Sequence, residues 1–124
     1  MIKSTSERAS YQTSFTNGQD VSMADTTSDK GGSGGGFRPD ELLEAALAIS
    51  MNITLRIFAE KHSIPLTSVS TTVKLDQTYP GVAIFNYSLD LTGSLSENDR
   101  QLLAEAARSC PVLQVLSKKL SFQD

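Results

Sequence analysis

The residues of this chain able to do chemistry are few, and one of them stands alone. Cys110, in A-R-S-C-P-V-L (residues 107–113), is the only cysteine. One thiol cannot close a disulfide within the chain or build a cysteine-rich metal site. Cys110 directly precedes Pro111, between two stretches that read as helix, which makes it the N-cap of the second. Backbone N–H groups aimed at that position favour a thiolate, whereas the carbonyl end of the preceding helix acts in the opposite sense. The competing reading is a small buried hydrophobe, since free cysteine is among the most buried residue types. His62, the only histidine, falls at a helix end and reads as solvated. The loop T-T-S-D-K-G-G-S-G-G-G (residues 26–36) holds five of the eight glycines and precedes a helix, as a phosphate-cradling loop would. It lacks the Lys-Ser/Thr of a P-loop and the spacing of a dinucleotide fingerprint, so it reads as a flexible linker.

The elements around these residues follow from local signals. Asn17-Gly18, flanked by β-compatible residues, predicts a hairpin within residues 10–24. Pro39, followed by Asp40 and Glu41, opens a helix: proline suits the first helical position and the acids complement the positive end of the dipole. From residue 42 to 59 apolar side chains occupy nearly every face of that helix. A helix apolar all round is buried all round, and a small domain with one sheet cannot cover it, so the remaining face is expected to meet a second copy. Two alternating runs follow. Val69, Thr71, Val73 and Leu75 share one face, as do Ala83, Phe85, Tyr87, Leu89 and Leu91, and the short D-Q-T-Y-P-G between them suits an antiparallel pair. Ser96 caps a second helix whose apolar stripe is Leu102, Leu103, Ala106 and Ala107. Pro111 interrupts it and starts a short helix to Leu116, and K-K-L-S-F-Q is expected as a last edge strand. This order is α+β.

Composition narrows the function classes. With 124 residues the chain reads as a single domain, 1–124, with the 26–36 loop flexible. A net charge of -3, and Lys118-Lys119 as the only adjacent basic pair, provide no footprint for nucleic acid or an anionic membrane. The start M-I-K-S-T-S-E-R-A-S has no apolar signal region, and Glu44, Asn52 and Arg56 interrupt the longest apolar-rich segment. A soluble, cytoplasmic protein is expected, without cofactor or metal.

Three stretches taken together, G-G-F-R-P-D-E-L-L-E-A-A-L-A-I-S, then I-T-L-R-I-F-A, then A-R-S-C-P-V-L-Q-V-L, resemble the OsmC/Ohr superfamily of osmotically induced and organic hydroperoxide resistance proteins. The resemblance runs from about Tyr11 to Leu116, with the elements in the same order. It implies an OsmC-like fold, antiparallel sheets around long central helices, in an intertwined homodimer. It also implies thiol-dependent reduction of organic hydroperoxides by two cysteines: one midway along the central helix attacks the peroxide, and the cysteine of C-P-V resolves the sulfenic acid as a disulfide.

The resemblance places the resolving cysteine at Cys110 and the attacking one at Ser50. A serine hydroxyl is not ionised near neutral pH and has no comparable oxidation ladder, so two-cysteine turnover is not expected. Other positions also depart from the pattern. C-P-V in the nearest branch is followed by histidine, where this chain has Leu113. The acid after the helix-opening proline is Asp40, where one branch has glutamate, and the acid of P-x-E-L-L is retained as Glu41. No residue matches the family's supporting arginine. Glu41 and Ser50 are nine residues apart, roughly 13 Å along a helix and on opposite faces, so a shared pocket requires a second subunit.

Three functional readings follow. The first is a family member without peroxidase chemistry that keeps an interfacial pocket for a small apolar or hydroperoxide-like molecule. The second is a one-cysteine hydroperoxide reductase using Cys110 with an external thiol. The third, a hydrolase using Ser50, has neither a G-x-S-x-G elbow nor a nearby histidine. Ser50 also has a plain alternative, a helix serine bonded to the carbonyl of Ala46.

Overall fold

Asn17 and Gly18 turn the chain as their types require. Asn17 Oδ1 accepts from the N–H groups of Gln19 and Asp20, both at 2.9 Å, and Gly18 takes φ +102°, open to glycine without strain. The structure, a computed structural model, describes all residues from Met1 to Asp124. The chain divides into two compact units, Met1–Leu43 and Glu44–Asp124.

The first unit carries the predicted hairpin, β2 (Thr13–Thr16) and β3 (Val21–Ala24), joined by residues 17–20. An additional strand, β1 (Lys3–Ser6), pairs antiparallel with β2 and makes the order β1-β2-β3. Its residues, K-S-T-S, are all exposed and carry no apolar alternation for a sequence reading to detect. After β3, Ser28–Lys30 form a single 3-10 turn.

The glycine loop is tied down from both sides. The buried Asp25 carboxylate accepts from Thr26 N–H at 2.7 Å, Ser33 N–H at 3.0 Å and Ser33 Oγ at 2.6 Å. The Arg38 guanidinium donates to the carbonyls of Thr26 at 3.3 Å, Gly34 and Gly35 at 3.0 Å, and Gly36. Gly36, at φ +72°, packs its backbone on the carbonyl of Met23 where any Cβ would collide. The Ser33 hydroxyl first, then the Ser33 and Thr26 N–H groups and the Arg38 charge, lower the Asp25 pKa below its ordinary 3.8, against the opposing effect of burial. A depressed folded pKa means the ionised group stabilises the native state above the unfolded value, and that contribution is lost as pH falls through the folded one. Asp25→Asn is therefore expected to destabilise the protein at neutral pH, with the gap from the unmodified chain closing only below pH 3.8. Urea unfolding followed against pH checks it; a gap that stays constant on acidification would count against the clasp.

The long helix α1 (Pro39–Lys61) starts at Pro39 as expected and continues into the second unit. It ends where Ser63 turns left-handed at φ +53° and the Ile64 N–H reaches back to the carbonyl of Ala59 at 2.8 Å. The second unit adds the antiparallel pair β4 (Leu66–Asp76) and β5 (Ile84–Gly93), then α2 (Glu97–Ala107) and α3 (Pro111–Leu116). α2 opens with a full capping box: the Asp99 N–H donates to Ser96 Oγ at 3.0 Å and the Ser96 N–H to Asp99 Oδ2 at 3.1 Å.

One core fills this unit. Leu47, Met51, Leu55 and Ala59, an i, i+4 stripe of α1, cluster with Ile64, Leu103, Ala106, Ala107 and Cys110. From the sheet, Val69, Val73, Phe85, Leu89 and Leu91 pack against them. Two side chains side-chain polarity would not have singled out pin α1 to β4: Glu44 Oε2 accepts from the Leu75 N–H at 2.7 Å, and Asn52 Nδ2 donates to the Val69 carbonyl at 2.8 Å.

Three expectations need correction. The tail from residue 117 onward forms no strand, and Phe122 is fully solvated, because neither sheet in this chain pairs with it. Ala83 precedes β5 and Tyr87, opposite Val73, keeps about a third of its surface exposed, so the covered part of that strand's inward face is shorter than its alternation implied. Leu102 is likewise exposed, which narrows the α2 stripe to Leu103, Ala106 and Ala107.

Candidate functional site

Four residues carried the sequence-level expectation: Asp40, Glu41, Ser50 and Cys110. The two acids stand in the first turn of α1. Glu41 closes the helix start, where its Oε1 accepts from the Arg38 N–H at 2.7 Å and lies 3.9 Å from Arg38 Nε. A glutamate three residues into a helix that reaches back to the backbone before it is half of a capping box. Asp40, exposed beside it, adds a second negative charge to the same turn. Arg38 was missed by motif reasoning because its role is to gather loop carbonyls, which leaves no sequence spacing to recognise.

Ser50 and the Cys110 segment come together. Cys110 is the N-cap of α3, with extended φ -63° and ψ 144°, as the position of Pro111 requires. Its thiol is completely buried in the core of the second unit, and its side chain makes no capping hydrogen bond. The N–H of Val112, the second residue of α3, donates instead to Ser50 Oγ at 3.3 Å. Ser50 is half-buried on α1, between the buried Leu47 and Met51. Its hydroxyl thus reaches to another element, which the plain reading of a bond to Ala46 did not include. His62 lies outside this arrangement, exposed beyond the end of α1 with its ring centroid 4.2 Å from that of Phe58.

A thiol excluded from solvent meets small oxidants only when the structure opens. The hydroxyl at Ser50 can accept and donate hydrogen bonds but cannot take an oxygen atom from a peroxide and return it. A cavity of about 820 Å³ belongs to the first unit and is walled by Ile2, Phe15, Ala24, Pro39 and Leu42 with Asp25 and Lys30. None of the four expected residues lines it. No group of three or more histidine, cysteine or acidic side chains is placed to hold a metal ion.

A long core helix, two antiparallel sheets and a short late helix after a proline break make up the α+β architecture of the OsmC-like fold. The chain belongs to the OsmC-like family: the profile of the OsmC-like proteins matches residues 31–123. Among solved structures, the organic hydroperoxide resistance protein OsmC of Legionella pneumophila is 25% identical, with a TM-score of 0.68 over 94% of this chain and 88% of that one. An OsmC-like protein of Mycoplasma pneumoniae is 18% identical, with a TM-score of 0.78 over 94% of this chain and 85% of the other. The organic hydroperoxide resistance protein OhrB of Bacillus subtilis is 19% identical, with a TM-score of 0.64 over 96% and 90%. Among proteins of curated function, none matches this chain.

Proposed function

We propose that this chain is a cytoplasmic OsmC-fold homodimer in which the peroxide-attacking position is vacated, and which binds a small apolar or hydroperoxide-like molecule without reducing it. One observation carries the reading: Ser50, where the family resemblance places the attacking cysteine, has its hydroxyl engaged with the backbone of α3. In thiol chemistry a thiolate attacks a peroxide oxygen, the O–O bond breaks, an alcohol leaves and the cysteine becomes a sulfenic acid. A second thiol then condenses with it, losing water and forming a disulfide that an external dithiol reduces. With one thiol per chain, the second step has no partner within the chain. The one-cysteine alternative requires Cys110 to meet peroxide directly, and complete burial of its thiol speaks against that.

The homodimer rests on surfaces the single chain leaves uncovered. Ile49, Ile53 and Ile57 form an exposed stripe on α1 opposite its core face. The sheet adds an open edge. Val69 and Leu75 use their outward backbone groups on Asn52 and Glu44, so by antiparallel alternation their partners Leu91 and Phe85, with Leu89 and Tyr87 between, direct N–H and C=O away from β4. An edge of that kind invites a strand from another chain, and a second copy supplies one.

The test is consumption of cumene hydroperoxide by purified protein with a dithiol reductant, run beside Ser50→Cys. The expected result is turnover by the cysteine variant alone, at least about a hundredfold above the unmodified chain, the scale of losing a catalytic nucleophile. Turnover by the unmodified protein at a comparable rate would sink the proposal and make Cys110 the working nucleophile. If neither protein turns over, the pocket no longer accepts hydroperoxides, and that half of the ligand assignment fails.

A further inference from the structure

α3 is held to the protein by little. It has six residues, too few for a stable isolated helix, and none of them is fully buried. Val112 and Leu113 are partly covered by the core, whereas Val115 is 53% exposed. Its N-cap residue provides no side-chain acceptor, because the Cys110 sulfur is turned into the core. The leading turn has short-range support from the Gln114 N–H to the Cys110 carbonyl at 3.2 Å and from Gln114 Nε2 to the Arg108 carbonyl at 2.9 Å. One hydrogen bond ties the start of α3 to a distant element, the bond from Val112 N–H to Ser50 Oγ.

The geometry points to a latch: Ser50 acts as the missing N-cap of α3, and by holding the N–H of Val112, the first that helix offers after Pro111, it keeps the α3 segment closed over Cys110. The helix start otherwise has an unpaired donor facing a half-buried hydroxyl position, and an uncapped short helix frays from that end. Cys110 joins α2 to α3, with its N–H on the Ala107 carbonyl and its carbonyl on the Gln114 N–H, both at 3.2 Å, so fraying of α3 releases the second of these and lets its side chain turn toward solvent. The core residues of α1 and α2 need not separate for this to happen, which makes the opening a local one. The thiol is thus sealed by a hydroxyl contributed from another helix, independently of whether the protein reduces peroxides. Ser50 is a positioning residue in this role: it acts on the Cys110 environment through the backbone of Val112.

The experiment measures the rate at which N-ethylmaleimide modifies Cys110 in the folded full-length protein, followed by intact mass, in zero and low urea. Loss of a typical N-cap is expected to speed labelling of Ser50→Ala roughly fivefold. The increase must be insensitive to urea below the unfolding transition, the mark of a local opening that exposes little surface. Ser50→Thr, which keeps the hydroxyl, is expected to label within about twofold of the unmodified protein. Unchanged labelling in Ser50→Ala overturns the latch. So does labelling that accelerates only in proportion to global unfolding, with the full urea dependence of that transition, or a threonine variant that labels as fast as alanine. If Ser50→Ala fails to fold, the unmodified protein still decides. Hydrogen exchange at the Val112 amide and thiol labelling at Cys110 must then report one shared opening, more frequent than global unfolding. Opening of both only with global unfolding overturns the proposal.

Discussion

Ile53→Asp is expected to split the protein into halves of its native mass. The side chain is 44% exposed in the single chain and sits between Ile49 and Ile57, exposed by 57% and 61%, so a carboxylate there costs the isolated protomer little. Three isoleucines about half exposed on one helix face forfeit half of the roughly 1.5–3 kcal/mol that full burial of each supplies, which packing by a second copy would recover. In the dimer the same carboxylate becomes an unpaired buried charge, once per protomer. A buried charge without a partner costs about 3–5 kcal/mol, so two of them raise the dimer dissociation constant by more than about ten-thousandfold. Light scattering on a size-exclusion column reads the outcome directly. The unmodified chain is expected at twice its 13.4 kDa and the variant at 13.4 kDa. A variant that keeps the double mass would place the dimer contact elsewhere, and an unmodified chain at single mass would remove the homodimer altogether. α1 is also long and apolar enough to cross a membrane by length and composition, so the same measurement decides whether a second copy covers this stripe.

The second large effect belongs to the opposite face of the same helix. Leu55→Ala is expected to destabilise the protein by about 2–5 kcal/mol, the range for removing a fully buried leucine and leaving a cavity. Leu55 has no exposed surface and shares the core with Leu103, Ala107 and Cys110. The alanines and the cysteine are small, and neighbours of that kind have little reach with which to fill the void. Urea unfolding at fixed protein concentration measures the loss, because a dimer's apparent stability depends on concentration. Ile57→Ala is the comparison: it lies two residues on, is 61% exposed in the single chain, and is expected to affect stability through dimerisation alone. Its cost should therefore be absent at concentrations where both chains are monomeric and grow to a plateau as dimers form, whereas that of Leu55→Ala is present at every concentration. A Leu55→Ala loss below about 1 kcal/mol would mean that the site collapses around the smaller side chain.

The two faces of α1 show the limit of reading this chain as a string. Apolar residues all round the helix said that two things must cover it, but not which residues faced which. The stripe Leu47, Met51, Leu55 and Ala59 became the core face because β4, β5 and α2 bring Val69, Phe85 and Leu103 to it. Legible elements were those whose cause lies within a few residues of their effect. Asn17-Gly18 turned the hairpin, Pro39 opened α1, Ser96 and Asp99 boxed the start of α2, and Pro111 broke the helix at Cys110. β1 escaped because it has no apolar pattern, and the tail's alternation of Leu120 and Phe122 misled because a strand also needs a neighbour to pair with.

The site divides along the same line. By itself the sequence determined that there is one thiol, that it stands at the N-cap position of a short helix at a proline break, and that serine stands where the family resemblance places an attacking cysteine. Only the tertiary structure decided what that serine does, because its partner is the Val112 N–H, 62 positions along the chain. The same holds for Asp25 and Arg38 around the glycine loop and for Glu44 and Asn52 on β4. Each satisfies a backbone group that its own neighbours leave unpaired, and any residue type with a backbone offers the same N–H and C=O. Such bonds leave no mark in composition or spacing, and they are settled only when folding brings the two segments within reach.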